Sequence, residues 1–403
     1  MEKNWKNFFD GFSLFKTSLI QENYINTVKK YTPQNGKILE IAAGSGLTSV
    51  LLADMGYKVT CTDIDEDLLE SIKNKFSSIP MKIESVDMFS AGSKYEILQF
   101  DSIIHQGLLE HFEDEEIIEI IRQQKDLAHF LIFDIPNDKR IEKIQEYGNE
   151  RFLSTEHWIS LFEKAGCVII DIEGRRFEGL LEKNKYALDK FERLKYGTSN
   201  TFVIKSKDRI SKKLHYGCGT VYLQDWFNVD AQIDHFSHDS RVSEILELNR
   251  TTPDNYYKFD FSSIDRKDKK IIGDFQSNIF EISKIFPNYF EEVIIYHVIE
   301  HMPRYEVSNF FKNLIESTSA NATFKFAVPD NVGLCKMYLE AESNDDRIKY
   351  HDYIFGKQRD KYSHHFVGYD KDSFKDVLSK YFTSVEFISN KNDYPALWVE
   401  CKK

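Results

Sequence analysis

Residues 37–46 read KILEIAAGSG, a short apolar strand that runs straight into a glycine-containing turn. A helical stretch follows over 47–55, and the β-branched strand KVTCT at 58–62 ends at Asp63. A strand, a glycine turn, a helix and a second strand that ends in an acid are typical of the start of an open parallel α/β sheet. This stretch therefore sets the expected fold class.

Alternating strands and helices continue along the first half of the chain. Helical periodicity predicts helices at about 1–35, 64–76, 113–127 and 155–165. Short apolar or β-branched runs predict strands at 81–86, 100–105, 129–135, 168–172 and 201–204. Alternation over this length predicts a mostly parallel sheet wrapped by helices.

The same order of elements restarts after a polar stretch at 205–213. LHYGCG at 214–219 repeats the strand and the glycine turn, and DWFNVD at 225–230 repeats the strand that ends in an acid. Later helices are predicted at 307–315 and 372–381, and later strands at 256–261, 292–298, 322–328, 385–388 and 396–401. A chain of 403 residues is long for one core. We therefore predict two α/β domains, an N-terminal one over 1–207 and a C-terminal one over 208–403.

Composition limits the partners and the compartment. The net charge is −12 and the chain has no Lys/Arg-dense stripe, which disfavours nucleic acid as a partner. The five cysteines are an odd number without CxxC spacing, which argues against a disulfide framework and against structural zinc. No apolar stretch approaches the roughly 20 residues that span a bilayer, and the first residues are polar. We expect a cytoplasmic protein without a membrane span.

The repeated turn predicts a ligand site in each half. Ligands of open parallel sheets bind beyond the carboxyl ends of the strands, where glycines allow close approach and an acid can bind ribose hydroxyls. A dinucleotide would require a third glycine in Gly-x-Gly-x-x-Gly. At the position of this third glycine the chain has Thr48 or Ser49 in the first half and Tyr222 in the second, so a dinucleotide is disfavoured. Spacing alone leaves open which other adenine-containing ligand binds.

The stretch LEIAAGSG at 39–46 resembles the first motif of class I S-adenosylmethionine-dependent methyltransferases, acid-x-Gly-x-Gly-x-Gly. The resemblance covers roughly 35–175. It implies a Rossmann-like, mostly parallel seven-stranded sheet flanked by helices, and S-adenosylmethionine as the cofactor, with S-adenosylhomocysteine as the product. It also implies cofactor contacts from Glu40, Ala42 in place of the first glycine, Gly44, Gly46, Asp63 at the ribose, Asp87 near the adenine amino group, and Gln106 after the fourth strand.

The second half is similar to a branch of the same superfamily that often occurs in surface-glycan and lipopolysaccharide gene clusters. The resemblance covers about 212–403 and rests on LHYGCG, on QDWFNVD at 224–230 and on the segment 355–369. It implies cofactor contacts from Gly217, Gly219, Asp230 and Asp260. His215 stands where an acid is common. The interval from Gly219 to Trp226 is too short for a crossover helix, which should be reduced to a turn.

Both halves carry a Glu-His pair just after the fourth strand, at 110–111 and 300–301. Histidine can accept a proton from a hydroxyl, and methyl transfer to an alcohol needs such a base. The candidate bases are therefore His111 and His301, with His105, His297 and His365 as alternatives. The adjacent glutamate could orient the imidazole, or the pair could be a helix-start feature favoured by the helix dipole. A metal site of His297, His301 and a carboxylate is weighed against ordinary packing, and no metal is predicted.

These observations predict S-adenosylmethionine-dependent methyl transfer, with the oxygen of a sugar or glycan precursor as the acceptor. The partner is then a small-molecule or glycan acceptor, for example a nucleotide sugar. The alternative is that one half is catalytically silent and binds the acceptor or mediates assembly. A nucleotide-sugar or dinucleotide oxidoreductase is disfavoured by the glycine registers and by the lack of a suitably placed Tyr-x-x-x-Lys pair. The oligomeric state is left open.

Overall fold

The computed structural model describes residues 13–140, 149–177, 187–239, 242–256, 270–356, 363–389 and 395–403. Its internal contacts divide the chain into two compact units. The first unit comprises residues 1–209 with 238–240, and the second comprises residues 210–237 with 241–403. Among the described residues, no helix is both long and apolar enough to cross a membrane.

The first unit is built on one seven-stranded sheet. Its strands are β1 (Lys37–Glu40), β2 (Lys58–Asp63), β3 (Lys82–Ser85), β4 (Phe100–Gln106), β5 (Ala128–Pro136), β6 (Cys167–Arg175) and β7 (Ser199–Ser206). Its described helices are α1 (Leu14–Tyr31), α2 (Leu47–Asp54), α3 (Glu66–Lys75), α4 (Ala91–Lys94), α5 (Asp114–Gln124), α6 (Thr155–Lys164) and α7 (Lys190–Tyr196). The strand order is β3-β2-β1-β4-β5-β7-β6, with only β7 antiparallel to its neighbours.

The second unit has a seven-stranded sheet of the same topology. The described strands of this unit are β8 (Lys213–Tyr216), β9 (Tyr222–Leu223), β10 (Phe227–Asp230), β11 (His235–Phe236), β12 (Arg250–Thr251), β13 (Ile272–Gly273), β14 (Phe275–Gln276), β15 (Phe290–Tyr296), β16 (Thr318–Pro329), β17 (Ser384–Ile388) and β18 (Ala396–Lys402). Strands β9 and β12 form one two-stranded sheet, and β11 and β13 form another. Its described helices are α8 (Ser243–Asn249), α9 (Ile279–Ile285), α10 (Arg304–Glu316), α11 (Asn331–Glu340), α12 (Asn344–Phe355) and α13 (Lys371–Leu378). The main sheet has the order β14-β10-β8-β15-β16-β18-β17, and β18 is its antiparallel strand.

The predicted fold class is confirmed in both units, and the structure corrects one strand. The predicted strand at 256–261 lies outside the described residues beyond 256, and the position beside β10 is taken by β14 instead. The prediction of a reduced first crossover is confirmed, because residues 217–226 contain turns and the two-residue β9 but no helix. The predicted helix at 1–35 corresponds to α1, and residues 1–12 lie outside the described part.

Apolar runs decide which strands lie at the centre of the first sheet. Seven of the nine residues of β5 are buried in an unbroken run, because helices cover both faces of a parallel sheet. Helix α5 starts at a capping box between Glu113 and Glu116, which satisfies two backbone donors at its first turn. Its buried residues Ile117, Ile120 and Ile121 recur at helical spacing and belong to the apolar core over the sheet.

A buried ion pair lies at the carboxyl end of β5. Arg175 Nη1 is 3.0 Å from Asp134 Oδ2, and both side chains are almost fully buried. Ser199 and Thr201 of the neighbouring β7 donate hydroxyl hydrogen bonds to the other oxygen of Asp134. Removing one partner of a buried pair leaves an uncompensated charge, which costs much more than the loss of an exposed pair.

We expect Arg175→Ala to lower the free energy of unfolding of the first unit by about 3 kcal/mol. This is the low end for a broken buried pair, because Arg176 lies 3.6 Å from the same carboxylate. Hydrogen exchange of β5 and β7 peptides across a urea series measures the change. Lys82→Ala, which breaks the exposed Lys82–Glu84 pair, should cost less than about 1 kcal/mol. Equal effects of the two variants would contradict the prediction.

Candidate cofactor and acceptor sites

The turn after β1 is held in a left-handed conformation at three positions. The backbone φ angles are 53° at Ala42, 54° at Gly44 and 68° at Gly46. Glycine adopts such angles without steric cost, whereas alanine does so at a penalty of roughly 1–2 kcal/mol. A Cβ at Gly46 would come within 2.7 Å of the Ile72 side chain, so this glycine is also required by packing. The rest of the turn imposes its conformation on Ala42.

Asp63 ties this turn to the end of β2. Its Oδ2 accepts a hydrogen bond from Gly44 N at 2.9 Å, and its Oδ1 accepts one from Asp65 N at 3.0 Å. The carboxylate is buried, with 8% of the residue exposed. An ionised carboxylate has about four lone-pair positions, so two remain for ribose hydroxyls. The geometry is suited to the role predicted for Asp63.

Glu40 lies under the turn. Ser49 Oγ of α2 donates a 2.5 Å hydrogen bond to its carboxylate. Burial raises the pKa of Glu40 to about 7, against the lowering effect of the Ser49 bond. This side chain therefore joins β1 to α2 beneath the predicted cofactor site.

Asp87 follows β3 and Gln106 ends β4, the two strands that flank the β2–β1 pair in the sheet. Asp87 is exposed after β3, and its carboxylate accepts a hydrogen bond from Phe89 N at 3.0 Å. Gln106 Nε2 donates to Thr48 Oγ1 at 3.2 Å and to Gln21 Oε1 at 3.3 Å. Sequence reasoning missed Gln21 and Thr48, because α1 and α2 meet at Gln106 only in the folded sheet. The predicted cofactor residues of the first half thus gather at the carboxyl ends of β1 to β4.

The second unit repeats the two hydrogen bonds of the aspartate with the same atoms. Gly217 and Gly219 have φ angles of 70° and 52°. Asp230 Oδ2 accepts a hydrogen bond from Gly219 N at 2.9 Å, and Oδ1 accepts one from Gln232 N at 3.1 Å. Burial raises the pKa of the Asp230 carboxyl. A Cβ added to Gly219 would meet no atom within 4 Å, so this turn borders open space into which a ligand could fit.

His215 occupies the place that Glu40 has in the first unit. It is fully buried, and its Nδ1 lies 2.9 Å from Asn228 Oδ1. The Asn228 amide nitrogen donates to the carbonyl oxygens of Leu223 and Trp226, which leaves Oδ1 as the acceptor and makes Nδ1 the donor. Burial lowers the pKa of His215 to about 4, so the ring is neutral. A histidine–asparagine pair thus replaces the glutamate–serine pair.

The position expected for Asp260 is held by Asn278. Asp260 itself lies outside the described residues. In the first unit Val86 N bonds to Asp63 O at 3.1 Å, and in the second Ser277 N bonds to Asp230 O at 3.0 Å. The next residues, Asp87 and Asn278, are therefore equivalent, and both cap the following turn or helix. One feature of the sequence could have identified this position. The capping box that begins at Asn278 marks the end of the two-residue strand β14.

The alternative candidate His105 belongs to the core. It is 1% exposed, and its ring stacks on Phe133 with 3.9 Å between the centroids. Burial lowers the pKa of His105 to about 3, so it stays neutral and out of contact with solvent. The prediction of His105 as a base is wrong for this physical reason.

His111 is oriented by Asn149 and not by the adjacent glutamate. Its Nδ1 lies 3.0 Å from Asn149 Oδ1, and Asn149 Nδ2 lies 3.3 Å from the carbonyl oxygen of His111. Because the amide nitrogen must donate to the carbonyl, Asn149 Oδ1 accepts the proton of Nδ1. The lone pair of the neutral ring is then on Nε2, which is the atom that could accept a proton.

Glu110 is buried behind His111. It is 4% exposed, and its Oε2 has no hydrogen-bond partner among the described residues. Burial raises the pKa of Glu110 to about 8, so the carboxyl is mostly protonated at neutral pH. In the first unit, the bond that orients His111 at Nδ1 comes from Asn149 and not from Glu110.

The histidines of the second unit gather around the equivalent glutamate. Glu300 is 1% exposed, and its Oε1 lies 3.2 Å from His297 Nδ1. His301 Nδ1 bonds to the carbonyl oxygen of His364 at 2.8 Å, and Phe366 N bonds to the carbonyl oxygen of Glu300 at 2.8 Å. The structure thus brings the predicted glycan-branch segment around 365–369 onto the Glu-His turn after β15. In this unit the glutamate bonds to His297 and not to the adjacent His301.

Comparison with known proteins assigns the first unit to a class. Residues 38–128 match the family model for the Methyltransferase domain. A 74-residue stretch is 33% identical to "Putative methyltransferase YqeM" of Bacillus subtilis, covering 17% of this chain and 30% of that relative. The chain thus spans less than a third of the length of this relative. The first unit contains a class I methyltransferase domain, an enzyme class whose cofactor is S-adenosylmethionine, as the sequence predicted.

Each of two solved structures resembles about half of this chain. A methyltransferase from Archaeoglobus fulgidus that depends on S-adenosylmethionine is 17% identical with a TM-score of 0.39, and covers 50% of this chain and 99% of its own. The magnesium protoporphyrin IX methyltransferase of Synechocystis, solved with S-adenosylmethionine bound, is 15% identical with a TM-score of 0.35. It covers 50% of this chain and 89% of its own.

We expect Asp63→Ala and Asp230→Ala each to abolish one of two binding events for S-adenosylhomocysteine in calorimetric titration. Loss of a hydrogen-bonding charged group costs about 1.5–3 kcal/mol, or roughly 10- to 100-fold in affinity. Asp67→Ala, which removes an exposed acid on α3, is the matched control and should bind normally. If one binding event is present and only one variant removes it, only that unit binds the cofactor.

The contribution of Glu110 to the stability of the first unit should fall as pH rises from about 4.5 to about 8. The Glu110 pKa is about 8 when folded and near 4.5 when unfolded, so the folded state holds its proton over this range while the unfolded state has lost it. The expected loss is on the order of a few kcal/mol. Glu110→Gln should remove this contribution. The pH dependence that remains combines Glu40, with its pKa of about 7, and buried His105, whose pKa of about 3 acts in the opposite direction up to about pH 6.5.

Hydrogen exchange of β4 and β5 peptides in urea at about pH 5 and about pH 8 measures the slope of stability against pH. Glu115→Gln changes an exposed glutamate of α5 and should leave the slope as it is in the unmodified chain. A slope that is the same with and without Glu110→Gln would show that Glu110 does not hold an extra proton in the folded unit.

Proposed function

We propose that the chain transfers a methyl group from S-adenosylmethionine to a hydroxyl oxygen of a sugar or glycan precursor. The observation that carries the proposal is the glycine–aspartate bond, found as Gly44 N to Asp63 and again as Gly219 N to Asp230. It holds a left-handed turn and a carboxylate, buried at Asp63 and half-buried at Asp230, together at the carboxyl ends of adjacent parallel strands, the place where open α/β sheets bind ligands.

The cofactor residues of the first unit have complementary roles. Asp63 would bind the ribose hydroxyls and Asp87 the adenine amino group, since both carboxylates keep acceptor capacity beyond their backbone bonds. The turn through Gly44 and Gly46 would let the cofactor approach the backbone closely. When bound, S-adenosylmethionine supplies an electrophilic methyl group on a sulfonium.

His111 is the base that we propose for the first unit. It follows β4, beside the edge at which the cofactor residues gather. Asn149 fixes the tautomer in which Nε2 carries the lone pair. His111 Nε2 would accept the hydroxyl proton as the acceptor oxygen forms its bond to the methyl carbon, and the electron pair of the broken carbon–sulfur bond stays on sulfur. General bases of this type contribute about 10²- to 10⁴-fold to the rate.

The sugar or glycan acceptor is supported by the second unit. The segment around 365–369 that resembles the surface-glycan branch packs on the Glu-His turn after β15. Helix α12 precedes it and carries the exposed or half-exposed side chains of Tyr350, His351 and Tyr353. Aromatic faces of this kind are suited to stacking on sugar rings.

The second candidate is that only the first unit methylates and the second unit binds the acceptor. A specific difference favours it: the second unit lacks a helix in its first crossover and has His215 in place of Glu40. The intact pair of bonds at Asp230 favours a working cofactor site there instead. The two candidates differ in the number of cofactor molecules bound per chain.

We expect the full chain to transfer labelled methyl from S-adenosylmethionine to a member of a panel of nucleotide sugars and glycans. His111→Ala should lower kcat by about 10²- to 10⁴-fold, because the hydroxyl proton then has no acceptor. Binding of S-adenosylhomocysteine should stay normal, since His111 belongs to the acceptor side.

Two further variants sharpen this test. His129→Ala changes an exposed histidine on β5 and should keep the full rate. Asn149→Ala should lower kcat less than His111→Ala does and shift the pH profile, because the tautomer is no longer fixed. A His111→Ala enzyme at full rate would refute the base, and labelling of nitrogen or carbon acceptors alone would refute O-methylation.

A further inference from the structure

The second unit contains one cluster of potential metal ligands among the residues that the structure describes. Glu300, His301 and His365 each offer one ligand atom, and these three atoms lie within 4.8 Å of one another. Glu300 comes from the turn after β15, as does His301, while His365 comes from the segment that packs over that turn. Residues 65 positions apart in the chain are therefore brought together at one point.

The glutamate has an unused oxygen at this point. Oε1 of Glu300 is bonded to His297, but Oε2 is buried and accepts no hydrogen bond from any described residue. The whole residue is 1% exposed. A buried carboxylate oxygen without a donor is costly, and buried charges are usually paired or coordinate a metal. This oxygen is an independent indication that a cation completes the cluster.

Both imidazoles are held in the form that binds a metal. His301 Nδ1 bonds to the carbonyl oxygen of His364 at 2.8 Å, and His365 Nδ1 bonds to that of Ile354 at 3.2 Å. A carbonyl accepts only from N–H, so the lone pair of each neutral ring is on Nε2. The ring centroids are 4.7 Å apart and the rings are nearly perpendicular. Backbone carbonyls on the far nitrogen are the usual outer partners of metal-bound histidine.

Among the described residues, no such cluster is found at the equivalent turn of the first unit. Gly107, with a φ of 60°, stands where the second unit has His297, with a φ of 56°. Arg151 N bonds to the carbonyl oxygen of Glu110 as Phe366 N does to that of Glu300, so the first unit has Glu150 where the second has His365. If the Glu-His pair served only to start a helix, we would expect similar side chains around the pair in both units. The extra histidines belong to the second unit alone.

We propose that Glu300, His301 and His365 bind a divalent ion of the zinc class. Two imidazole nitrogens and one carboxylate oxygen favour zinc or a similar borderline ion over magnesium, which prefers six oxygens. Ligands at about 2.0–2.1 Å from one tetrahedral ion lie roughly 3.4 Å apart, so side-chain rotations that bring these atoms closer by about 1.4 Å or less close the site. Three protein ligands leave a fourth position open to an oxygen of the acceptor.

This assignment replaces the base role predicted for His301 and His365. His297 becomes an outer partner that orients the Glu300 carboxylate through its Nδ1. An ion here would bind an acceptor hydroxyl and favour loss of its proton, as metal ions do for water. Metal binding itself does not depend on methyl transfer, so each proposal can fail without the other.

The test is a Zn²⁺ titration of the full-length chain, freed of tags and stripped with a chelator, in the absence of S-adenosylmethionine. We expect one Zn²⁺ per chain, no comparable binding of Mg²⁺, and visible absorption bands when Co²⁺ is substituted. His301→Ala and His365→Ala should each weaken Zn²⁺ binding by at least about 10- to 100-fold, the loss that follows removal of even an outer partner. Both side chains are half-buried, and circular dichroism checks that each variant is folded.

The matched control is His129→Ala, which removes an exposed histidine of the first unit and should leave Zn²⁺ binding unchanged. Glu300→Gln should weaken binding as the histidine variants do, because the amide lacks the charge of the carboxylate. An unmodified chain that binds no stoichiometric Zn²⁺ overturns the proposal. Zn²⁺ binding that survives in both His301→Ala and His365→Ala overturns it as well, since the ion would then be held elsewhere.

Discussion

Both units depend on one hydrogen bond, from a glycine amide of the first turn to the acid at the end of the neighbouring strand. In the first unit it joins Gly44 to Asp63, and in the second it joins Gly219 to Asp230, at 2.9 Å in each case. The bond fixes a left-handed turn that glycine adopts without steric cost. It also holds the carboxylate of the aspartate at the edge of the sheet where ligands bind. The cofactor proposal follows from this constraint.

Different side chains lie beneath the equivalent turn in the two units. A glutamate–serine bond lies beneath the first turn, and a neutral histidine with an asparagine lies beneath the second. The Glu-His turns differ further. Glu110 is buried with a pKa of about 8 and its Oε2 has no hydrogen-bond partner among the described residues, while Glu300 is surrounded by histidines. A duplicated architecture thus carries two chemically distinct Glu-His turns.

Most of the fold could be predicted from the sequence, because local signals agree with the final structure. The apolar run of β5, the capping box of α5 and the glycines after β1 each determine structure within a few residues. The short third strand of the second unit could not be found in this way. The two residues of β14 are too few for a periodic pattern. The sequence pattern therefore predicts Asp260, and not Asn278, as the residue that follows the third strand.

The sequence by itself determined the two sheets and the glycine–acid pairs, because these rest on contacts between adjacent elements and on backbone angles that few residues adopt. Only the tertiary structure decided what each histidine does. His105 and His111 are six residues apart, yet one is stacked in the core and the other is held by Asn149, which is 38 residues further along the chain. The meeting of His365 with Glu300 is equally long-range. The chemistry of an imidazole is set by its burial and its partners, and those are fixed when distant segments pack together.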